Sequence, residues 1–248
     1  MFPVGAWGEQ MSLMRHVEQQ ILSAENGGER FFKIKDFPWA KDIEQAWVGM
    51  RKEMDLILLA LDLLPAFGEI RIQEKRHSAD KRWKIFPLYA YGHWVLENTV
   101  RCPNTTAALK GIPGLQAAMF SILRAGKELE LHRGPYNGVL RYHLGLKIPK
   151  PEIQCGISVG GEIRNWYEGA SLIFDDSHLH EAWNRSSEDR VVLFVDFTRP
   201  LSGELRKLND EVIENIYKSD WVTQSAKRWG DWESIFGREF DRLIATNA

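Results

Sequence analysis

The pattern of hydrophobic positions divides the chain into a helical first part, a β-rich centre and a helical last part. Over residues 7–70, apolar side chains recur at three- and four-residue steps with charges between them, which predicts amphipathic helices. Pro38 predicts a break near residues 36–39, because the residue before a proline disfavours the α region. Residues 203–244 return to helical periodicity.

The centre of the chain carries short apolar and aromatic runs of strand length, separated by Gly and Pro. The predicted strands are 85–91, 117–123, 127–131, 139–148, 155–160, 163–167, 171–175, 180–184 and 190–198. Many short strands with regular turn signals indicate a sandwich or barrel. We therefore predict a mainly β protein with flanking helices: a helical region over residues 1–82, a β core over 83–201 and a helical extension over 202–248. A short helix is expected near residues 105–110, ended by Gly111 and Pro113.

A basic run over residues 71–84 joins the first helical part to the β core. One interpretation is a solvated connection, which needs no functional explanation. The other is an anion-recognising loop near the mouth of a barrel. The sequence leaves both open.

Composition excludes several classes of protein. The 248 residues suffice for one domain with a large core, and a net charge of −2 gives no reason to expect a nucleic-acid partner. Cys102 and Cys155 are far apart and form no metal-ligand pattern, which favours a reducing compartment. No internal repeat is present.

No segment has the features of a secretion signal or a membrane span. The N-terminus lacks a charged start followed by a long apolar stretch. The most apolar run, residues 56–64, is interrupted by Asp62 and is far shorter than the about 20 residues that cross a bilayer. We expect a cytoplasmic protein without a transmembrane segment.

Four of the seven histidines lie between residues 132 and 196, among the predicted strands. His132 ends one strand and His180 starts another, and two imidazoles on different strands can hold one divalent ion with open positions. The usual non-haem iron site adds a carboxylate, which would be expected two residues after the first histidine. That position is Gly134. A structural role for each histidine stays open.

Three further polar residues interrupt apolar strands. Arg190 begins an otherwise apolar strand, and burying its charge is costly without a partner. A dicarboxylate would supply that partner, and pairing with Glu188 or Asp189 at a strand edge is the alternative. Arg141 and His143 lie two residues apart and face the same side of their strand, either the barrel interior or solvent.

Six segments in order resemble the aspartyl/asparaginyl β-hydroxylase family. They are HRGP (132–135), LRYHLGL (140–146), WYEG (166–169), LIFDDS (172–177), HEAW (180–183) and RVVLFVD (190–196). Residues 102–105 and 112–120 are similar to the lipid A acyl-chain hydroxylases of that family. The resemblance covers residues 83–201 and implies a double-stranded β-helix (jelly-roll, cupin-like) core. It also implies a dioxygenase that uses Fe(II), 2-oxoglutarate and O₂ and releases succinate.

The resemblance implies a role for each matching position. His132 and His180 match the two metal ligands, with catalytic roles for both and for Arg190. Ser121 and Arg190 match residues that bind the far carboxylate of 2-oxoglutarate. Arg141 and His143 match pocket residues near the cosubstrate or substrate carboxylate.

The position of Gly134 agrees with aspartyl hydroxylases, which use two histidines only, and departs from the lipid A branch, which tends to have Asp there. A vacant third position also occurs in iron halogenases, so halogenation stays a minority hypothesis. His178 faces the same way as His180 on an extended chain, but the family match assigns the ligand to His180. Asp175 and Asp176 are expected to cap the turn before His180 or to orient its ring.

The substrate is the least determined part of the hypothesis. A small molecule, an amino acid or a peptide is the first expectation, and an acyl chain is the second. The flanking helices are expected to cover the barrel or to form a homodimer contact. The rival hypotheses are a non-catalytic jelly-roll binding module and a scaffold that acts through its helices.

Overall fold

The computed structural model describes residues 4–24 and 26–247, and eleven strands form its centre. The strands are β1 (Phe31–Phe32), β2 (Trp83–Ala90), β3 (His93–Trp94), β4 (Leu115–Leu123), β5 (Glu128–His132), β6 (Val139–Lys147), β7 (Cys155–Val159), β8 (Glu162–Asn165), β9 (Ser171–Phe174), β10 (His180–Asn184) and β11 (Arg190–Thr198).

The strands form two antiparallel sheets. The larger has the order β1-β9-β6-β11-β4-β2-β3 and the smaller has the order β5-β10-β7-β8. From β4 to β11 the chain passes back and forth between the two sheets, which is the winding of a jelly roll. The predicted fold class, a double-stranded β-helix core with α-helical additions, is confirmed.

The apolar pattern of β11 explains its central place in the larger sheet. It lies between β4 and β6, and its residues 190–197 are all buried. A strand covered on both faces reads as a continuous apolar run, and RVVLFVDF is such a run. The charged residues near its two ends, Arg190 and Asp196, are the exceptions: Arg190 lines the candidate site described below, and Asp196 pairs with Arg141 of that site.

In the part of the chain that the structure describes, eight α-helices pack around the sheets. They are α1 (Val4–Ser23), α2 (Trp39–Gln45), α3 (Trp47–Leu58), α4 (Phe67–Ile70), α5 (Leu96–Arg101), α6 (Pro103–Leu109), α7 (Gly203–Tyr217) and α8 (Asp220–Asn247). Met54 of α3 and Phe240 of α8 belong to the same hydrophobic core as the barrel strands. The helices α1 and α7 share a second, smaller core around Val17 and Val212.

The helical predictions for both ends and the break near residues 36–39 are confirmed, since α2 begins at Trp39. The first part is not wholly helical, however. Its two-residue strand β1 adds an edge to the larger sheet by pairing with β9. The elements β1, β3 and α5 escaped the pattern analysis because two to six residues are too few to establish a period.

The flanking helices cover the barrel, which was one of the two roles expected for them. The predicted homodimer contact stays a prediction, as do the boundaries at residues 82/83 and 201/202. Within the described residues, no helix is long and apolar enough to cross a membrane.

A buried carboxylate ties two helices of the helical layer, α3 and α6, to each other. Glu53 of α3 is 6% exposed and lies at the start of α6. Its two oxygens accept hydrogen bonds from the backbone N–H groups of Asn104 and Thr105 and from both of their side chains. These N–H groups have no partner within their own helix, so Glu53 satisfies donors that burial would otherwise leave unpaired.

We expect Glu53→Gln to lower the free energy of unfolding by about 2 to 4 kcal/mol, because the amide turns a donor toward groups that are themselves donors. Urea unfolding followed by circular dichroism measures this loss. Glu97→Gln, on the exposed side of α5, is the matched control and should change stability by less than about 0.5 kcal/mol. Equal midpoints for the two variants would contradict the assigned role of Glu53.

Candidate active site

Two histidines meet where β5 and β10 pair in the smaller sheet. His132 and His180 are direct partners across the antiparallel ladder, and their ring centroids lie 4.1 Å apart. The pairing brings together two residues that lie 48 positions apart in sequence. Adjacent strands, and not opposite walls of the barrel, therefore supply the two imidazoles.

Backbone carbonyls select the same tautomer for both rings. Nδ1 of His132 lies 2.7 Å from the carbonyl oxygen of Glu130, and Nδ1 of His180 lies 2.9 Å from that of His178. A carbonyl can only accept, so each Nδ1 carries the hydrogen and donates it. Each Nε2 keeps its lone pair, which is the arrangement found at histidines that bind metals.

The electrostatics of the pair favour neutral rings. Burial lowers the pKa of His132, with a smaller contribution from His77. Burial, followed by the neighbouring His132, lowers the pKa of His180 to about 3. Both imidazoles are therefore neutral near pH 7, which is the form that binds a metal ion.

One cavity collects all six residues that the sequence singled out. It is lined by aromatic and aliphatic side chains together with Ser121, His132, Arg141, His143, His180 and Arg190. The side chains of β6 that face the same way, Arg141 and His143, therefore face the barrel interior and not solvent. Within the described part of the chain, no group of three or more His, Cys, Asp or Glu side chains is arranged to hold a metal ion.

Arg190 carries a buried charge that is not neutralised. Its residue is 2% exposed, and its guanidinium lies 4.6 Å from the centre of the Trp166 ring. Its Nε has no hydrogen-bond acceptor, and its Nη1 makes one long contact of 3.5 Å to the carbonyl oxygen of Ser121. Burial lowers its pKa to about 10. An anion entering this cavity would therefore meet a free guanidinium.

The alternative pairing of Arg190 with its sequence neighbours is wrong. Asp189 pairs instead with Arg124, at 3.1 Å. The nearest cation to Glu188 is Lys147, at 4.0 Å. The strand carries Arg190 inward, whereas these two acids precede the strand and contact Arg124 and Lys147.

Ser121 and His143 add unused hydrogen-bonding groups to the same cavity. The Ser121 hydroxyl accepts a bond from the Trp83 indole at 3.0 Å, which leaves its own proton free to donate. His143 is 6% exposed and neither ring nitrogen has a partner. Burial, then the charges of Arg141 and Arg190, lower its pKa well below the usual value. Its ring is therefore neutral and offers both a donor and an acceptor.

Arg141 lies in the cavity as expected, but its guanidinium is already paired. It donates to Asp196 at 2.8 and 3.2 Å, and its Nη1 lies 2.8 Å from Oδ2 of Asp176. It also lies 4.1 Å from the centre of the Phe194 ring. The resemblance implies that Arg141 lies near a ligand carboxylate, but two carboxylates of the protein already bind its guanidinium.

The space beside Gly134 is filled by Asp176. A Cβ atom added at Gly134 would lie 2.2 Å from Oδ2 of Asp176, and the Gly134 N–H donates to the Asp176 carbonyl at 2.8 Å. A side chain at position 134 is therefore excluded by the Asp176 carboxylate, which Arg141 holds in place. This packing leaves no space for a carboxylate side chain at position 134, the expected distance after His132.

Asp175 caps the turn before His180, as one of the two expected roles described. Its Oδ1 accepts the Ser177 N–H at 2.9 Å, and its Oδ2 accepts from Arg199 at 2.7 Å. Both partners of this ion pair are at most 5% exposed. The carbonyl that holds His180 belongs to the same turn, so Asp175 orients the ring through the backbone.

The sequence analysis missed His77 as a site residue. It lies in the basic run, and its ring centroid is 4.4 Å from that of His132. Its Nδ1 is buried without a partner. A lone histidine in a charged run gives no sequence signal for this contact. His178, the competing ligand candidate, is not among the residues that line the cavity, and its backbone carbonyl, not its ring, serves His180.

Comparison with known families and proteins gives a consistent result. A family model described as aspartyl/asparaginyl beta-hydroxylase matches residues 44–200. An ornithine lipid ester-linked acyl 2-hydroxylase from Rhizobium tropici is 41% identical over 234 residues, which is 94% of this chain and 80% of that protein. The human aspartyl/asparaginyl beta-hydroxylase is 32% identical over 165 residues, and this match spans 21% of that protein.

Solved structures match at much lower similarity. A Cupin_2 domain of an XRE family transcriptional regulator from Enterobacter cloacae has 14% sequence identity and a TM-score of 0.34, over 48% of this chain and 99% of that one. A cupin domain of Cnp3 from Schizosaccharomyces pombe has 12% identity and a TM-score of 0.33, over 48% of this chain and 66% of that one.

We expect Gly134→Ala to lower the free energy of unfolding by at least about 2 kcal/mol, because the Asp176 carboxylate must move away from Arg141. The double variant Gly134→Ala/Asp176→Ala should lose less than the sum of the two single losses. Gly28→Ala is the control, since a Cβ there meets nothing within 4 Å. Additive losses in the double variant would show that the two positions do not share this space.

We expect metal-free protein to lose stability as the pH falls from about 6.5 toward 3. In this range His180 is protonated in the unfolded chain and stays neutral in the folded chain. His180 causes no loss of stability well above pH 6.5, and below it the free energy of unfolding falls by up to about 1.4 kcal/mol per pH unit. Denaturant unfolding in chelator at several pH values measures it. His180→Gln should show a smaller slope, and an unchanged slope would contradict the prediction.

Proposed function

The chain belongs to the aspartyl/asparaginyl β-hydroxylase family, and on that premise we propose that it is an Fe(II)- and 2-oxoglutarate-dependent hydroxylase of lipid acyl chains. The observation that carries the cosubstrate part is the buried Arg190. An uncompensated guanidinium inside a barrel costs several kcal/mol, and a bound carboxylate would offset that cost.

The residues of the site fit both groups. The two free Nε2 lone pairs of His132 and His180 would hold the iron, with its other positions left to the cosubstrate and oxygen. The orphaned Nε of Arg190 and the free Ser121 proton would bind the far carboxylate of 2-oxoglutarate. The unpartnered ring of His143 would meet a polar group of the same ligand.

When bound, iron and 2-oxoglutarate would supply the oxidising chemistry: one atom of O₂ enters succinate as CO₂ is released, and the other enters a C–H bond. The protein's own residues orient the groups that bind the ligands and exclude water from the site. The Trp166 ring covers the Arg190 guanidinium and Phe174 lines the same cavity, and such apolar surroundings would strengthen the attraction of Arg190 for a carboxylate. The carbonyls of Glu130 and His178 fix the two imidazoles, so the ligand atoms need not reorganise.

The acyl-chain substrate rests on the relative from Rhizobium tropici, whose alignment spans 94% of this chain, flanking helices included. The matches to the aspartate hydroxylases span about half to two thirds of the chain. The sequence analysis placed small molecules, amino acids and peptides first, and this relative favours its second expectation. We propose oxidation at the carbon next to an ester-linked acyl carbonyl.

The first test is the visible charge-transfer band that forms when Fe(II) and 2-oxoglutarate are added without oxygen. We expect the band in the natural protein and its loss in His132→Ala and in His180→Ala. Arg190→Gln should weaken 2-oxoglutarate binding by about 10- to 150-fold, since a charge-assisted hydrogen bond contributes roughly 1.5 to 3 kcal/mol. His178→Ala, which keeps its backbone carbonyl, is the matched control and should retain the band. A folded protein without the band would overturn the dioxygenase proposal in favour of a non-catalytic binding module.

The second test concerns the substrate. With labelled dioxygen, a lipid that carries an ester-linked acyl chain should gain one labelled oxygen atom at the carbon beside the ester, and succinate should form in equal amount. Aspartyl peptides and free amino acids are the comparison substrates. Turnover of these alone would overturn the acyl-chain proposal and leave the dioxygenase proposal standing.

A further inference from the structure

A larger cavity lies beside the dihistidine site, between the barrel and the flanking helices. Its volume is about 250 Å³, and most of its wall is apolar. Most of the apolar side chains come from α1, α7 and the loop and strand that follow β5, among them Met14, Tyr136, Val139, Val212, Ile213 and Ile216, and α8 adds Trp221. The helices that flank the barrel therefore form this cavity jointly with it, and the barrel alone would not enclose it.

The charged side chains of this cavity lie at the end that approaches the site, and the uncharged polar side chains of Gln73, Gln116, Asn215 and Ser219 also belong to its wall. Arg141 lines both this cavity and the smaller one that contains His132 and His180. The carboxylates of Asp176 and Asp196, which pair with Arg141, belong to the same wall. A long molecule with one polar end would therefore lie with that end toward the histidines and its apolar length between α1 and α7.

Arg71 is the incompletely neutralised cation of this polar end. Its guanidinium lies 4.8 Å from the centre of the Trp221 ring, which holds it against the cavity wall. Its Nε is buried without a hydrogen-bond partner, and the Glu74 carboxylate stays 3.8 Å away, beyond hydrogen-bond distance. Arg141, in contrast, has two carboxylates at hydrogen-bond distance.

A second, smaller cavity of about 80 Å³ meets the first at Arg71. The two share Arg71, Tyr91, Asp196 and Trp221. The rest of the smaller cavity is mainly apolar, with Phe67, Ile85 and Met119 among its lining residues. Apolar space thus extends on two sides of a guanidinium that is only partly neutralised, which is the arrangement that suits an amphipathic anion.

We propose that Arg71 binds the anionic headgroup of the lipid substrate and that the cavity between α1 and α7 holds the acyl chain that is hydroxylated. This proposal rests on the proposed function and specifies where its substrate binds. Because the polar end lies against the site, the carbons next to the acyl carbonyl approach the histidines and the methyl end lies away from them. Within the basic run, the anion-recognising interpretation thus applies to Arg71 alone. Four other cations of the run are exposed: Lys75, Arg76, Lys81 and Arg82.

The test uses binding without turnover. cis-Parinaric acid, a fluorescent fatty acid, supplies the chain and a carboxylate, and its methyl ester supplies the chain alone. Arg71→Gln should weaken binding of the acid by about tenfold or more and leave the ester within about twofold, because only the acid has a charge to lose. Arg76→Gln removes a charge from the same run, where the side chain is 80% exposed, and should change neither.

A bulky residue tests the chain cavity. Ile216→Trp, from α7, should weaken binding of both the acid and the ester by about tenfold or more, and Met14→Trp does the same from α1 if the first variant folds poorly. Circular dichroism confirms the fold of each variant. The proposal would be overturned if these variants bound each probe as tightly as the natural protein does. It would also be overturned if Arg71→Gln lost affinity for the acid and for the ester to the same extent.

The charge-transfer band separates this proposal from the proposed function. Arg71→Gln and Ile216→Trp should keep the band of bound 2-oxoglutarate. With an ester-linked lipid, Arg71→Gln should raise KM more than it lowers kcat. Absence of the band in the natural protein overturns the proposed function. A normal band together with unaltered probe binding in the variants overturns only the proposed lipid site.

Discussion

The antiparallel pairing of β5 with β10 is the constraint on which the site depends. It makes His132 and His180 direct neighbours, and the backbone on either side supplies the carbonyls that leave both Nε2 atoms free. A slip of one residue in this register would turn one imidazole to the other face of the sheet. The capped turn at Asp175 and its buried ion pair with Arg199 hold the start of β10 and so protect that register.

Three arginines near the site differ in how far their charges are neutralised, and the difference assigns each a different task. Arg141 has two carboxylates and acts within the framework, where it keeps Asp176 in the space beside Gly134. Arg190 has no carboxylate among the described residues, and Arg71 has one beyond hydrogen-bond distance. A cation whose charge is incompletely neutralised is costly to hold in a cavity wall, which is the reason that we propose anionic ligands for Arg190 and Arg71.

The helical additions give the barrel a feature that its strands do not contain. The family match covers residues 44–200 and omits α1, α7 and α8, yet α1 and α7 enclose the larger apolar cavity. The alignment with the lipid hydroxylase spans nearly the whole chain, whereas the alignments with aspartate hydroxylases span half to two thirds of it. A common catalytic barrel with a substrate cavity built by flanking helices would account for both observations.

The sequence by itself determined the fold class, most strand and helix positions, and the set of six polar residues that share one cavity. These follow from local periodicity and from motifs whose order is read directly along the chain. Only the tertiary structure decided that Asp176 replaces a side chain at Gly134, that Arg141 is paired, that His77 contacts His132 and that Arg71 faces a cavity. Each of these is a contact between residues far apart in sequence, and no local pattern encodes which charges become neighbours when sheets and helices pack.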